Sequence, residues 1–228
     1  MGNGLNRILK TIYPNWVSRH SYIAQPWKLS FGMKDFEPVV RYFGKYIHLT
    51  DEEKDFLRSL LRKVAIRKKQ FIVQPGFTCK YRTYVLEGAF RSYLYDKNGN
   101  EHTVALAVED WWISDFDSYI HQKPATLFVE ALEKSVVIQM DYEDEVRLLE
   151  TYPKFERFFR ILYQKTIAAL QCRTLNEHSM TAEERYHDFV ERYPQVAFRV
   201  PQYALASYLG FSTEYLSKIR NKRVKPRK

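Results

Sequence analysis

Residues 200–220 read VPQYALASYLGFSTEYLSKIR, and the spacing of small and apolar residues in this stretch decides how the end of the chain folds. Leu205, Leu209, Leu216 and Ile219 recur where two short helices would face each other. Ala206 supplies a small residue at their contact, and Gly210 stands where the turn between them needs positive φ. The pattern predicts a helix-turn-helix in which Ser212 caps the second helix and Thr213, Glu214, Tyr215, Ser217 and Lys218 face outward. With Gln202 on the first helix and Arg220 closing the second, these side chains stand where a helix laid in a DNA major groove reaches base edges and phosphates. An ordinary helical hairpin with Gly as its C-cap is the competing reading.

Charge favours the first reading. The net charge of +9 is concentrated at the end of the chain, where Lys218, Arg220, Lys222, Arg223, Lys225, Arg227 and Lys228 occur without an acidic residue among them. Removing these seven from the 36 Lys and Arg leaves 29 basic against 27 acidic residues, so the body is close to neutral. A localised cationic end suits a polyanion, because phosphate contacts release counterions. Lys222 and Arg223 therefore join the expected DNA contacts. A solvated basic terminus is the alternative.

Upstream, Phe36, Val39, Val40, Phe43 and Ile47 recur at helical spacing, and Thr50-Asp51-Glu52-Glu53 predicts a capping box opening a second helix through Phe56, Leu57, Leu60 and Leu61. From 68 to 140 the pattern changes to short β-branched and aromatic runs separated by turns. Strands are expected over 70–74, 82–86, 90–95, 102–108, 126–132 and 135–140, with Asn98-Gly99 as a type I′ hairpin. Beyond 140 the chain reads as helical. A helix over 152–175 carries Phe155, Phe158, Phe159, Leu162, Ile167 and Leu170 on a band too wide for a lone surface helix, so it should face both its own domain and a partner, with Leu162 a candidate for the partner side. Thr181-Ala182-Glu183-Glu184 predicts a further helix start, and Pro194 its end.

This order of parts, with the helix-turn-helix at its end, resembles the Crp/Fnr transcription regulators of bacteria over residues 34–220. The strand-turn pattern around Phe71 to Gly88 and the run Phe128-Val129-Glu130-Ala131 look like that family's cyclic-nucleotide-binding β-roll, a jelly roll of the RmlC-like kind. The resemblance implies an α+β fold: a β-roll sensor domain over 33–145, a dimerisation helix over 146–178, and a helix-turn-helix domain with a basic tail over 179–228. It implies a homodimer on a two-fold symmetric double-stranded operator, with recognition helices about one DNA turn (~34 Å) apart. An effector of unidentified chemistry and RNA polymerase are the further partners it brings.

Two departures limit the carry-over. Aligned on Val129-Glu130-Ala131, Ser114 and Asp115 stand where family members that bind cyclic AMP have Gly-Glu, and Ala125 and Thr126 where they have Arg-Ser. The cation for the phosphate is missing, so no cyclic AMP response is expected. Asp115 and Thr126 still leave a polar pocket for another ligand. At the other end, eight residues follow Arg220 in the sequence, so the family's β-hairpin wing is not expected. The family's Arg-Glu-x-x-x-Arg pattern appears as Thr213-Glu214 with Lys218 four residues after the Glu, which implies a different operator.

No metal site, cofactor or catalytic group is expected. Cys79 and Cys172 are far apart, and no Cys precedes Cys79 to suit the family's iron-sulfur branch. His102 could be imagined as a ligand with Glu101 and His121, but it stands alone on its strand, and Asp115 and Asp117 lack an accompanying nucleophile. The chain thus reads as a DNA-binding regulator and not an enzyme. The rival is a small-molecule-binding or metal-dependent cupin-like β-roll that does not bind DNA. Without a secretory signal or a run of about 18 apolar residues, the expected location is the cytoplasm, with no membrane partner. Residues 1–32 read as a weakly ordered extension with Met33 as the natural start; an arm packing Trp16, Tyr22, Trp27 and Phe31 across the roll is the alternative.

Overall fold

The computed structural model describes residues 33–222. The extension expected over 1–32, together with Arg223 and the rest of the basic tail, lies outside the described residues. After a 3-10 turn at Met33–Phe36, α1 (Glu37–Gly44) leads to α2 (Asp51–Ser59), which opens on the expected capping box. The Glu53 N–H donates to Thr50 Oγ1 (3.3 Å) and the Thr50 N–H to Glu53 Oε2 (2.7 Å).

Eight strands follow among the described residues: β1 (Leu61–Ile66), β2 (Phe71–Val73), β3 (Tyr81–Glu87), β4 (Phe90–Tyr95), β5 (Glu101–Ala107), β6 (Trp112–Ile113), β7 (Phe128–Ala131) and β8 (Ser135–Asp141). They form two antiparallel sheets in the orders β1-β8-β3-β6 and β2-β7-β4-β5. Ile66, Val85, Phe90, Val129 and Val137 are buried together between them. β1 corrects the sequence reading, which ran α2 on to Leu61. Leu60 and Leu61 suit either period, and the ladder from Leu61↔Met140 to Ile66↔Ser135 decides for strand. The hairpin after β4 is a second correction. Gly99 has φ +82° but Asn98 is not in the left-handed region, because Asp96 Oδ1 accepts from the N–H groups of Asn98 (2.8 Å) and Asn100 (2.9 Å). An Asp-capped loop with a left-handed Gly replaces the type I′ turn.

Between β3 and β4, Gly88 has φ +109°, and a Cβ there would lie 2.0 Å from Ser135 Oγ and 2.9 Å from Ser135 Cα. Gly88→Ala is expected to destabilise the roll by about 1–3 kcal/mol, read as a lower urea midpoint. An unchanged midpoint would refute the close approach.

Helices complete the chain: α3 (Phe116–His121), α4 (Tyr142–Thr151), α5 (Phe155–Ser179), α6 (Ala182–Arg192), α7 (Pro194–Arg199), α8 (Gln202–Leu209) and α9 (Thr213–Lys222). The long helix begins after Pro153, not at Tyr152, and the boundary drawn between residues 145 and 146 falls inside α4. Phe155, Phe158 and Phe159 fasten α5 to the outer face of the first sheet, where Tyr84, Ile138 and Met140 meet Phe43 of α1. The Phe43 and Phe158 rings stack with centroids 3.9 Å apart. Each such buried ring contributes about 1.5–3 kcal/mol. Leu162 packs, half-buried, against this same cluster.

Candidate nucleic-acid interface

The C-terminal unit is built on local signals. α6 opens on a second capping box, with the Glu184 N–H donating to Thr181 Oγ1 (3.3 Å) and the Thr181 N–H to Glu184 Oε2 (2.8 Å). It stops before Pro194, which takes an early position in α7. α8 ends at Gly210 in the left-handed conformation, φ +79°. No atom crowds a Cβ there, so φ alone requires the glycine. Ala204, Leu205, Ala206 and Leu209 of α8 meet Leu216 and Ile219 of α9 in one buried cluster with Tyr186, Phe189 and Val196. Burial of Leu216 and Ile219 turns the other side of α9 to solvent.

That side carries most of the predicted set. Ser212 caps α9, its Oγ accepting from the Tyr215 N–H (3.2 Å). Glu214, Tyr215 and Lys218 are exposed, and Thr213 and Ser217 half-exposed. Exposed Gln202 crosses from α8 to α9, its Oε1 accepting from the Ser217 hydroxyl (3.2 Å). Hydrogen bonds from its own backbone N–H and from Ser212 hold the Glu214 carboxyl below the ordinary range, so it presents an acceptor at neutral pH. Lys222 ends α9 at the edge of the described residues. Arg220 corrects the sequence reading. Its Nη2 donates to the Ala197 carbonyl (3.0 Å) and its Nε to Tyr186 Oη (3.2 Å), so it ties α9 to α6 and α7 instead of projecting toward a ligand.

Two solved structures share this arrangement. The c-di-GMP responsive global regulator CLP of Xanthomonas campestris superposes with a TM-score of 0.62 at 12% identity, covering 77% of this chain and 92% of its own. FixK2 of Bradyrhizobium japonicum also gives 0.62, at 17% identity, covering 71% and 83%. The chain has the Crp/Fnr fold. In sequence it is 26% identical over 183 residues to Electron transport regulator A of Shewanella oneidensis, spanning 75% of this chain and 72% of the relative. No family model matches the chain.

Within the Crp/Fnr fold, the four residues aligned with the family's nucleotide contacts do not form a polar pocket. Asp115 is 2% exposed, and its carboxylate is committed to backbone donors: Ser118 (3.1 Å) on Oδ1, Thr126 (2.9 Å) and Leu127 (3.0 Å) on Oδ2. It caps α3. The Ser114 hydroxyl shares its one hydrogen between the backbone carbonyls of Ile113 (2.6 Å) and Tyr81 (3.1 Å), Ala125 is buried, and the Thr126 side chain is exposed. The carboxylate expected to meet an effector instead fastens the loop before β7. Among the described residues, no three His, Cys, Asp or Glu side chains are placed to hold a metal ion. His102 pairs with Asp96, and His121 with Asp117.

A contact that local sequence does not announce docks the helix-turn-helix on the roll. β5 is an edge strand, and its Thr103 N–H donates to Ser207 Oγ (2.8 Å) while the Ser207 hydroxyl donates to the Glu101 carbonyl (3.0 Å). Arg173 of α5 reaches the Val104 carbonyl (2.7 Å). Helices thereby cover an edge that would otherwise invite pairing. Arg199 adds ion pairs to Glu109 and Glu133 (both 2.5 Å), and Arg91 lies under the Tyr203 ring, 4.9 Å from its centroid.

Proposed function

We propose that this protein is a bacterial transcription regulator that binds double-stranded operator DNA as a homodimer. The observation that carries the reading is α9: buried Leu216 and Ile219 on one side, exposed Glu214, Tyr215 and Lys218 on the other, running on to the basic tail. Glu214 suits a cytosine amino group and Lys218 a guanine or a phosphate. Residues 164–172 of α5 are all exposed, Ile167 to 56%, and a second copy of the helix would cover them. Among the described residues, no helix is long and apolar enough to cross a membrane. The proposal places the protein in the cytoplasm, with RNA polymerase as a further contact and with no catalytic role. Cyclic AMP is not its signal, since buried Ala125 offers the phosphate no cation.

Gel-shift and salt titration against the promoter DNA of its own gene test the reading. Lys218→Ala is expected to weaken binding to specific and scrambled DNA alike and to reduce the salt slope by about 1 if it meets phosphate. Glu214→Ala should cost about 1–3 kcal/mol on the specific site and relax preference at one base pair. A wild-type protein that leaves both DNAs unshifted would return the chain to the rival reading, a ligand-binding roll without DNA.

A further inference from the structure

A second opening in the roll lies away from Ser114 and Asp115. It is a cleft of about 400 Å³ between β1, β2 and the 77–81 segment, lined by Arg62, Val64, Phe71, Phe77, Tyr81 and Gln139, among others. Its walls are of two kinds. Val64 and Phe71 are half-buried and Phe77 is 56% exposed, an aromatic side chain left facing solvent at the rim. Opposite them is the half-buried guanidinium of Arg62, lying flat on Tyr81 with its central carbon 3.4 Å from the ring centroid.

The partners of Arg62 are the decisive feature. Its Nε (3.1 Å) and Nη2 (2.6 Å) both donate to Gln139 Oε1. This edge of a guanidinium is the one that a carboxylate or phosphate takes with two oxygens, and here a single neutral amide oxygen occupies it. Arg62 forms no ion pair among the described residues. The acidic group that it senses, Asp141, is occupied at the start of α4, where it accepts from the Glu143 N–H (3.1 Å). Burial lowers the Arg62 pKa from the ordinary guanidinium value, as expected of a desolvated cation whose charge is poorly compensated. The other buried arginines of the roll differ: Arg82 has Glu145, and Arg91 has Glu101 and Glu130. A desolvated charge without its counterion is costly, and an incoming anion would offset that cost.

We propose that this cleft binds a small organic anion, its carboxylate or phosphate held by Arg62 and its apolar body covered by Val64, Phe71 and Phe77. The anion displaces Gln139 Oε1 from the guanidinium edge. Gln139 keeps its other bond, from Nε2 to Thr83 Oγ1 (3.2 Å), and so remains in place as a wall. Lys80 at the rim adds a second positive charge. The site stands on the roll alone and does not depend on DNA binding, so its failure would leave the regulator reading intact.

Calorimetric titration of the full chain tests it with four probes: phenyl phosphate, benzoate, inorganic phosphate and benzyl alcohol. An aromatic anion should bind at least about tenfold tighter than inorganic phosphate or benzyl alcohol, each of which lacks one half of the recognition. Comparing phenyl phosphate with benzoate ranks the two headgroups. Arg62→Met should lower that affinity at least about tenfold, while Arg62→Lys keeps a weaker site. Gln139→Glu is the sharper variant. It supplies the missing counterion from within the fold, so the protein should melt no lower than wild type and yet lose anion binding. No heat with either aromatic anion at millimolar concentration would overturn the site, as would undiminished affinity in folded Gln139→Glu.

Discussion

Glu145→Ala is expected to destabilise the roll by about 3–5 kcal/mol, the cost of leaving a buried charge without its partner. Arg82 is 1% exposed on β3, and Glu145 on α4 meets one edge of its guanidinium with both oxygens, Nε on Oε2 and Nη2 on Oε1 (2.6 Å). Tyr163 of α5 accepts from the same Nη2 (2.6 Å), and the Tyr119 hydroxyl of α3 donates to Glu145 Oε2 (3.0 Å). Nη1 has no acceptor among the described residues, and the rings of Phe159 (4.7 Å) and Tyr119 (4.9 Å) stand against the guanidinium. Burial works to lower the Arg82 pKa, but the hydrogen bonds and charge of Glu145 outweigh it and hold the pKa above the ordinary value. A guanidinium is too weak an acid to shed its proton when the carboxylate is removed, so the desolvation cost falls on the folded state. The double variant Arg82→Met, Glu145→Leu removes both charges and should recover most of the loss, because the surrounding rings of Phe116, Tyr119, Phe159 and Tyr163 suit an apolar filling. Urea unfolding of wild type, Arg82→Met, Glu145→Leu and the double variant closes the cycle. A loss below about 1 kcal/mol for Glu145→Ala, of the size seen for a surface pair, would contradict a buried hub. Because strand, short helix and long helix all meet at this pair, the same variants also measure how tightly the roll is fixed to α5.

What sequence disclosed was what neighbours in sequence decide. The Thr50 and Thr181 capping boxes, the left-handed Gly210 and the small Ala206 depend on residues within one helical turn or one tight turn. They were legible for that reason. β1 was not, because its pairing partner is β8 at the far end of the roll. Asp115 shows the same limit at the level of function. An acidic residue aligned with a ligand-contacting position reads as a ligand contact, but three backbone N–H groups, two of them from the segment before β7, converge on it in space and take up both oxygens. Arg220 looked like one more basic side chain in a cationic run, yet the Ala197 carbonyl and Tyr186 hydroxyl lie within its reach. Nothing local marks Arg62, whose guanidinium edge meets an amide 77 residues away.

The double variant Ile167→Glu, Leu175→Glu is expected to make the protein monomeric at micromolar concentration and to lower operator affinity by about 10²–10⁴-fold, the avidity lost when a second half-site is no longer tethered to the first. The two side chains are 56% and 65% exposed and stand eight residues apart on α5, roughly 12 Å along its axis. Nine consecutive residues, 164–172, are exposed, a run of two and a half turns that the chain itself leaves uncovered. A helix this bare gains little from its own fold, and an apolar stripe on it calls for a partner. Leu162 provides the contrast. It packs against the Phe43 and Phe158 cluster, so Leu162→Glu should lower the melting temperature by placing a charge in that core. Ile167→Glu, Leu175→Glu should leave the melting behaviour of the separated subunit close to wild type, since neither side chain is buried within it. Leu170 is left unchanged because it lines a cleft shared with β5 and α6, where a charge would confound dimer loss with domain packing. Light scattering reads the mass and gel shift the affinity. A double variant that remains dimeric and holds DNA as tightly as wild type would move the two-fold interface off this helix.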